Sequence, residues 1–246
     1  MGLPITRLKN RQSWRRLLLL LLLAGVGLQL YFLARVFLLR YVDPGSTAFE
    51  RSQITQLLHN EQGLRWHQQW MPASRINTSL SRAVIASEDD MFASHDGVQW
   101  QAIEKAWQRN EKAQNRASTN GKAPKVVGGS TITQQLAKNL FLSGERNFLR
   151  KGQELLITLA LESCLSKQRI LEIYLNHVEW GKGVFGAEAA ARQYFSKPAA
   201  QLTPWESARL AVMLPRPKYF EKLPQSPYLL DRSQVILGRM GAAVLP

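Results

Sequence analysis

The sequence predicts a mainly α-helical domain that is attached to a membrane by one N-terminal transmembrane helix. Three observations favour this class. An uncharged apolar stretch follows a basic N-terminus, several later segments repeat their apolar residues at helical spacing, and the sequence shows no alternating strand series and no internal repeat. About 200 residues follow the apolar stretch, which is enough for one sizeable domain.

The apolar stretch runs from Leu17 to Ala34, 18 residues without a charge. At about 1.5 Å per residue it nearly crosses a hydrocarbon core of about 30 Å, and the apolar residues beyond Arg35 extend it to Leu39. A cleaved signal peptide is the alternative. Its apolar region normally has only about 7–15 residues before an A-x-A-like site, and no clear site of this kind follows here. We therefore predict a retained anchor over residues 17–39.

The distribution of charge orients this anchor. Residues 1–16 hold five basic and no acidic residues, so the positive-inside rule predicts a cytoplasmic tail at 1–16 and an outer domain at 40–246. The net charge is +14, of which residues 1–40 supply +7 and the outer domain, with 25 basic and 18 acidic residues, the other +7. Such a domain suits a polyanionic ligand or an anionic membrane surface, and its outward position disfavours nucleic acid as a partner.

Helices in the outer domain are predicted from caps and apolar spacing. Asp96 can cap a helix with Trp100, Ile103 and Trp107 on one face. Thr203 to Glu206 form a capping box with proline at the first helical position, and that helix should end at Leu214 to Pro217. The remaining helical segments are predicted at Phe148 to Leu165, Ser166 to Asn176 and Pro227 to Met240.

Two further features of the outer domain follow from composition. Asn110 to Lys125 is polar and contains Asn-Gly and Ala-Pro, which predicts a mobile loop, either a lid or a plain surface insertion. Cys164 is the only cysteine, which excludes an intramolecular disulfide, and its apolar surroundings predict a buried thiol.

Residues 128–139, GGSTITQQLAKN, join a Gly-rich turn to the start of a helix. Ser130 or Thr131 can cap this helix, whose apolar residues can face a core. The other face then carries Gln134, Gln135, Lys138 and Asn139. A helix N-terminus followed by a lysine suits a phosphate, and an ordinary amphipathic helix with a solvated polar face is the alternative.

Two more segments carry candidate catalytic charges. Glu88 follows an apolar run at 83–86, so partial desolvation and the neighbouring Asp89 and Asp90 would raise its pKa and suit it to general base catalysis; a solvated acidic patch is the alternative. Arg146, Arg150 and Glu154 recur every four residues, with Lys151 beside them. A surface salt-bridge ladder would explain this spacing, but the apolar continuation LLITLAL favours a position along a cleft.

The sequence lacks the motifs of several common catalytic and binding sites. It contains no H-E-x-x-H pair, P-loop, G-x-S-x-G elbow or penicillin-binding signature.

The three segments described above instead resemble the peptidoglycan glycosyltransferase family, in five ordered motifs over residues 70–217. The first, E-D-x-x-F-x-x-H-x-G, corresponds to Glu88, Asp89, Phe92, His95 and Gly97. The second, G-x-S-T-I-T-Q-Q-x-x-K-N, spans Gly128 to Asn139, and the third, R-K-x-x-E, is Arg150, Lys151 and Glu154. The fourth, K-x-x-I-L-E-x-Y-L-N, spans Lys167 to Asn176, and a weaker fifth block spans Ser207 to Pro215.

The absence of a transpeptidase signature makes the chain similar to the monofunctional, membrane-anchored members. The resemblance implies a lysozyme-like helical large lobe and a small membrane-proximal lobe, on the periplasmic side of the bacterial inner membrane. It implies polymerisation of lipid II into β-1,4-linked glycan strands, with inversion at the anomeric carbon and release of undecaprenyl pyrophosphate. The implied partners are lipid II, the lipid-linked glycan strand and the membrane, with other cell-wall synthases or division proteins as candidates.

The resemblance also implies roles for single residues. Glu88 would be the general base. Glu154 would be a second carboxylate on the pyrophosphate side, with a divalent cation (Mg²⁺ or Mn²⁺) as candidate cofactor and no organic cofactor. The residues that would neutralise the departing pyrophosphate are Lys138, Arg146, Arg150 and Lys151. Those that would bind donor sugar or phosphate are Thr131, Gln135 and Asn139, and those that would line the cleft are Phe92 and His95.

Two other functions are alternatives to this one. A lysozyme-like or lytic glycan-cleaving enzyme also pairs a carboxylate with a glycan cleft, although it needs no cations for a pyrophosphate. A membrane-tethered scaffold for wall assembly would keep the motifs without catalysis.

Overall fold

The computed structural model describes residues 5–58, 66–100, 129–142 and 147–246, together with residues 104, 108 and 111. Within these ranges the chain is mostly helical, as predicted. The helices are α1 (Ile5–Leu38), α2 (Ala48–Leu58), α3 (Thr78–Glu88), α4 (Ile132–Phe141), α5 (Phe148–Cys164), α6 (Lys167–His177), α7 (Ala187–Phe195), α8 (Pro204–Met213), α9 (Pro217–Phe220) and α10 (Pro227–Arg239). Short 3₁₀ turns lie at Ala73–Arg75, Ala199–Gln201 and Met240–Ala242.

Helix α1 contains the predicted anchor. Among the described residues, Ser13–Leu38 is the segment long and apolar enough to cross a membrane by length and composition, with 26 residues and a mean hydropathy of 2.4 in its most apolar part. The leucines at 17–23 are all exposed on the chain itself, which suits a surface that faces lipid.

The C-terminal part of α1 packs against the rest of the protein. Val36 and Leu39 are buried in the core, and α1 lies along α5. Arg169, near the start of α6, donates from Nε to the carbonyl of Leu39 at 2.9 Å and from Nη2 to the carbonyl of Val42 at 3.3 Å. The end of the anchor is therefore fixed to the domain through both side-chain and backbone contacts.

Helices α3, α8 and α10 pack on one another and form one part of the core. Helix α8 begins at the predicted capping box, in which the Thr203 hydroxyl accepts from the Glu206 N–H and the Glu206 carboxylate accepts from the Thr203 N–H. Pro204 occupies the first helical position, and the helix ends at Met213, just before the predicted stop. This packing holds the C-terminal end of α3, which carries Glu88, against the core.

Helix α4 packs on α5 and α6 and is covered by α2. A partly buried polar network joins α4, α5 and α6. The Glu162 carboxylate accepts from the Thr133 hydroxyl at 2.5 Å and from Lys167 Nζ at 2.8 Å. Because each of these residues comes from a different helix, the network fixes the relative positions of the helices that carry the second, third and fourth motifs.

Three short strands were not predicted: β1 (His67–Gln68), β2 (Glu179–Gly181) and β3 (Val184–Phe185). They form one sheet in the order β1-β3-β2, with β1 parallel and β2 antiparallel to β3. His67 pairs with Val184, so the sheet connects the segment after α2 to the segment after α6. Strands of two or three residues are too short for an alternating pattern to be recognised, which is why the sequence analysis missed them.

Other predictions have mixed outcomes. The thiol of Cys164 is free but only partly buried, because α5 ends there beside solvent; the expected full burial was wrong. The helix predicted after Asp96 and the loop at 110–125 lie almost entirely outside the described residues, as do Gly128 and Arg146.

Candidate active site

Glu88 is the last residue of α3 and the centre of the candidate site. The helix is capped by Asn77, whose side chain accepts from the Ser79 N–H, and its apolar residues are buried over almost its whole length. Its last turn therefore brings Glu88 to the edge of the core, where the carboxylate is partly buried and accepts from Gln135 Nε2 at 2.9 Å.

The surroundings of Glu88 perturb its protonation as the sequence predicts. Burial raises the pKa of Glu88 above its ordinary value of 4.5, and the charge of Asp89 raises it further. The hydrogen bond from Gln135 and the charge of Lys138 act in the opposite direction, but the net pKa is raised. A raised pKa makes this carboxylate a stronger base than an exposed one, which suits it to general base catalysis.

Asp89 connects three segments of the candidate site through hydrogen bonds to its carboxylate. Its buried carboxylate accepts from His95 Nε2 at 2.9 Å, from Gln99 Nε2 at 2.6 Å and from the Ile132 N–H at 2.9 Å. Ile132 is the first residue of α4, so one side chain connects the end of α3, the loop that follows it and the N-terminus of α4. From the sequence, Asp89 was predicted as a member of the first motif and as a charge beside Glu88, but not as a connecting residue; the fixed spacing of Asp89 and His95 in that motif was the signal for this second role.

The loop after α3 contains both residues that were predicted to line the cleft. His95 Nδ1 accepts from the Gly97 N–H at 3.0 Å, which leaves the proton on Nε2, where it faces Asp89. His95 is partly exposed. Phe92 is fully buried, with Lys167 Nζ at 4.7 Å from its ring centre. The prediction for Phe92 is therefore corrected: burial of a large apolar ring places it beneath the loop, where it supports His95 rather than facing a cleft.

Thr131 is the N-cap of α4. Its hydroxyl accepts from the Gln134 N–H at 3.1 Å and donates to the Gly97 carbonyl at 2.7 Å, while Gln134 Oε1 accepts from the Thr131 N–H. The residue is buried and forms a complete capping box, so of the two predicted caps Thr131 is the one used. The structural role of Thr131 is therefore to cap α4, whereas its contact with a sugar or phosphate stays a prediction.

Helix α4 presents the other residues of the second motif. Gln135 bonds to Glu88, Lys138 is exposed and acts on Glu88 through its charge, and Asn139 is buried. One partner was missed by the sequence analysis: the Tyr174 hydroxyl, from α6, donates to Gln135 Oε1 at 3.0 Å. Tyr174 belongs to the fourth motif, but nothing in its spacing pointed to Gln135.

The third motif forms a charged group on α5. Arg150 Nη1 lies 3.3 Å from Glu154 Oε2, and Lys151 Nζ donates to Glu154 Oε1. Glu154 is buried, and two cations around one carboxylate leave a net positive charge. The predicted shared face is present for Arg150 and Glu154, whereas Arg146 lies outside the described residues.

The charged group does not by itself provide a site for a divalent cation. In the part of the chain that the structure describes, no group of three or more His, Cys, Asp or Glu side chains could hold a metal ion, and both oxygens of Glu154 already face cations. Mg²⁺ prefers several oxygen ligands, so the described residues do not fit a cation held by protein alone. We therefore assign no chemical step to a metal.

The candidate site thus consists of a partly buried carboxylate of raised pKa on α3 and a cationic group on α5. Together with the apolar helix α1, these features indicate a class of protein, a mostly helical and membrane-anchored enzyme. The sequence model of the transglycosylase family matches residues 54–241. The chain therefore belongs to the transglycosylase family and is a glycosyltransferase, which confirms the predicted resemblance.

The chain is also similar to several relatives with the name biosynthetic peptidoglycan transglycosylase, three of which illustrate the match. Those from Burkholderia thailandensis and Burkholderia orbicola are 52% identical to this chain over 223 residues, which cover 91% of it and 84% and 87% of their own lengths. The one from Burkholderia multivorans is 50% identical, with 91% of this chain and 87% of its own length covered. These matches extend over the anchor-bearing and catalytic regions together.

Proposed function

We propose that this enzyme polymerises lipid II into the β-1,4-linked glycan strands of peptidoglycan and releases undecaprenyl pyrophosphate. The observation that carries the proposal is the position of Glu88: a partly buried carboxylate of raised pKa, held at 2.9 Å by Gln135 of the second motif. The names of the relatives support the substrate class.

In the proposed reaction Glu88 accepts the proton of the 4-hydroxyl of N-acetylglucosamine in an incoming lipid II. The oxygen attacks the anomeric carbon of the N-acetylmuramic acid at the reducing end of the growing strand. The bond from that carbon to the pyrophosphate oxygen breaks, and its electron pair leaves with the pyrophosphate. Attack from the opposite face converts the α-linked donor into a β-1,4 link.

The cations are proposed to stabilise the leaving group. Arg150 and Lys151 carry more charge than Glu154 neutralises, and Lys138 is exposed near Glu88. Fixed positive charge is most effective where negative charge develops in the transition state, here on the pyrophosphate. In this proposal Glu154 orients Arg150 and Lys151, and Arg146 adds to the same group.

We also propose an orientation for the chain, with residues 1–16 in the cytoplasm, 17–39 across the inner membrane and 40–246 in the periplasm. The basic tail and the apolar span of α1 support it. Because both substrates carry lipid chains, an anchored enzyme searches for them in two dimensions at a raised effective concentration.

The test is a lipid II polymerisation assay on the full chain in detergent or vesicles, with and without Mg²⁺ or Mn²⁺. Wild type should form glycan polymer, and Glu88→Gln should lower the rate by roughly 10²–10⁴-fold, the usual contribution of a general base. Glu154→Gln should lower it too, since it releases the two cations. Asp231→Asn, an equivalent change on the exposed face of α10, is the control and should leave the rate unchanged.

Three outcomes would contradict the proposal. Normal polymerisation by Glu88→Gln would exclude Glu88 as the base. Shortening of mature peptidoglycan by the wild type, without polymer from lipid II, would instead favour a glycan-cleaving enzyme. A folded wild type with neither activity would favour the scaffold.

A further inference from the structure

We propose that Tyr174 is a positioning residue, whose hydroxyl orients the side-chain amide of Gln135 so that the NH₂ group, and not the oxygen, faces Glu88. This inference rests on the proposed function, in which Glu88 is the general base. Tyr174 is fully buried, so it acts on Glu88 through Gln135 and not by contact with a substrate.

The three side chains form a chain of hydrogen bonds that joins three helices. The Tyr174 hydroxyl, from α6, donates to Gln135 Oε1 at 3.0 Å. Gln135, on α4, donates from Nε2 to Glu88 Oε2 at 2.9 Å, at the end of α3. Each end of the amide therefore has its own partner, with the oxygen toward Tyr174 and the NH₂ group toward Glu88.

The two ends of an amide favour different protonation states of a neighbouring carboxyl group. The NH₂ group donates to an ionised carboxylate, whereas the oxygen accepts from the O–H of a protonated carboxyl. The orientation of the Gln135 amide therefore affects the proton affinity of Glu88. In the observed orientation the hydrogen bond from Gln135 lowers the pKa of Glu88, against the larger effect of burial.

Tyr174 makes the opposite orientation of the amide unfavourable. If the amide turned over, its NH₂ group would donate to the oxygen of Tyr174, and the hydroxyl hydrogen would lose Gln135 Oε1, the acceptor that the structure gives it. A buried donor without an acceptor is costly. The hydroxyl thus favours the orientation that stabilises ionised Glu88, which is the form that a general base requires.

The hydroxyl of Tyr174 is suited to remain a donor. Burial, together with the charges of Glu88 and Asp89, raises the pKa of this hydroxyl well above the usual range. A phenylalanine ring would fill the same space in the core, whereas a buried hydroxyl is favourable only where it is bonded. The bond to Gln135 therefore explains why this position of the core has a tyrosine.

Helix α6 holds Tyr174 in a fixed position. At its start the Ser166 hydroxyl accepts from the Arg169 N–H. Near its end the Asn176 amide accepts from the N–H of Met71 and donates to the carbonyl of the same residue. Because the ring is also buried in the core, rotation of the hydroxyl hydrogen is the main freedom left to this side chain.

Several charged or polar groups act on Glu88 together with Gln135. The charge of Asp89 raises its pKa, whereas the charge of Lys138 and a hydrogen bond with Ser87 lower it. Helices α8 and α10 also pack on α3. Three of their charged side chains have partners elsewhere: Glu206 pairs with Lys197, Arg209 donates to the Pro224 carbonyl, and Arg239 pairs with Asp90.

The first test measures the pKa of Glu88 without any assay of activity. Infrared spectra of the full chain in detergent, recorded across pH, give the carbonyl band of the protonated carboxyl after subtraction of the spectra of Glu88→Gln. Tyr174→Phe should raise this pKa by roughly 0.5–1 unit, since the amide can then turn and accept from protonated Glu88. An unchanged or lowered pKa would overturn the inference.

Two further sets of variants separate positioning from other effects. Tyr194→Phe is the matched control, because the Tyr194 hydroxyl donates to the Trp180 carbonyl, and it should leave the pKa of Glu88 unchanged. In a Gln135→Leu background Tyr174→Phe should have no further effect on that pKa, since the amide through which it acts is absent. An equal rise in this background would show a direct effect of Tyr174 and contradict the proposal.

The second test is the pH dependence of lipid II polymerisation. For Tyr174→Phe the acidic limb of kcat should move to higher pH by the same amount as the pKa, so that kcat below the limb falls roughly three- to tenfold while KM changes little. A lower unfolding midpoint with no shift of the limb or of the pKa would indicate a merely structural role and overturn the inference. If the pKa moves but the limb does not, or if Glu88→Gln is active, the proposed base is refuted and the positioning role of Tyr174 stands.

Discussion

Glu88 and Asp89 are adjacent acids that affect the stability of the fold in opposite ways. Asp89 is buried with three hydrogen-bond donors around it, whereas Glu88 has the Gln135 amide and a raised pKa. A carboxylate surrounded by donors stabilises the fold, and one held partly desolvated is poised for proton transfer at some cost to stability. The two side chains should therefore respond to substitution in opposite directions.

For Glu88→Gln we expect a higher unfolding midpoint at neutral pH. Because folding raises the pKa of Glu88, the folded state binds its proton more tightly than the unfolded chain does. That stabilisation is complete below the pKa of the unfolded chain and is lost as pH rises through the raised value. Thermal unfolding should then show a gain for the variant at about pH 8 and none at about pH 4. A variant less stable than wild type at the higher pH would contradict this account.

For Asp89→Ala we expect a loss of about 3–5 kcal/mol in the free energy of unfolding, since His95, Gln99 and the Ile132 N–H all lose their acceptor. Asp90→Ala is the matched control in the same acidic triplet. Asp90 is exposed and makes one ion pair, with Arg239 at 3.5 Å, so its loss should change stability by only about 0.5 kcal/mol. Urea unfolding in detergent would measure both, and equal losses would contradict the assigned role of Asp89.

Single residues also show which roles a sequence pattern can predict and which it cannot. The apolar run before Glu88 was enough to predict a desolvated carboxylate, because helix periodicity determines which residues reach the core. Phe92 and Thr131 belong to the same motifs as Glu88 and yet point inward. A motif identifies residues that matter together, but whether each one touches substrate or supports its neighbours depends on tertiary packing.

At the scale of elements, the loop after α3 depends on Gly97. This residue has a φ of 83° and lies against α5, where an added Cβ would approach Thr158 Cγ2 to 2.7 Å and Glu162 Cγ to 2.8 Å. Its carbonyl also accepts from the cap of α4. The loop therefore needs a residue without a side chain at this point.

Gly97→Ala should accordingly lower the free energy of unfolding by about 1–3 kcal/mol, from the left-handed backbone and the close contacts together. Gly152→Ala is the opposite case, because Gly152 is helical and exposed, with no atom within 4 Å of an added Cβ. It should be neutral or stabilising by up to about 1 kcal/mol. Denaturant unfolding of the two variants in parallel tests the difference, and a neutral Gly97→Ala would show that the loop can move aside.

Element boundaries were predictable where capping chemistry marks them. Thr131, Ser166 and Thr203 cap the helices expected after them, and proline marks the starts of α8 and α10. The short sheet of β1, β2 and β3 was not predictable, because its strands have only two or three residues and β1 pairs with a segment more than 100 residues further along the chain.

At the scale of the whole molecule, α1 is part of the folded structure as well as an anchor. Val36 and Leu39 are buried, and Phe32 packs edge-on against Phe141 of α4 with ring centres 5.7 Å apart. The sequence predicted the span from its length and hydropathy but could not predict this contact, because lipid-facing and protein-facing apolar residues have the same composition.

Removal of residues 1–42 should therefore destabilise the domain in detergent, and not only release it from the membrane. Exposure of the sites that Val36 and Leu39 fill should lower the free energy of unfolding by about 3–6 kcal/mol, at about 1.5–3 kcal/mol for each side chain. A shorter truncation that ends at Leu23 should leave the midpoint unchanged, because residues 13–23 are all exposed on the domain. Equal stability of the two truncated proteins would show that the docking of α1 adds nothing.

The docking of α1 also has a consequence for the order of folding. Gln29 of α1 and Gln153 of α5, whose side-chain amides bond to each other at 2.8 and 3.0 Å, are 124 residues apart in the chain, and Arg169 lies 130 residues after Leu39. The anchor is synthesised first, yet its protein neighbours emerge only after more than half of the chain has been made. Contacts at such sequence separation close slowly. The nascent chain must therefore keep its first helix in the bilayer, with Gln29 unpaired, until α5 and α6 arrive and assemble against it.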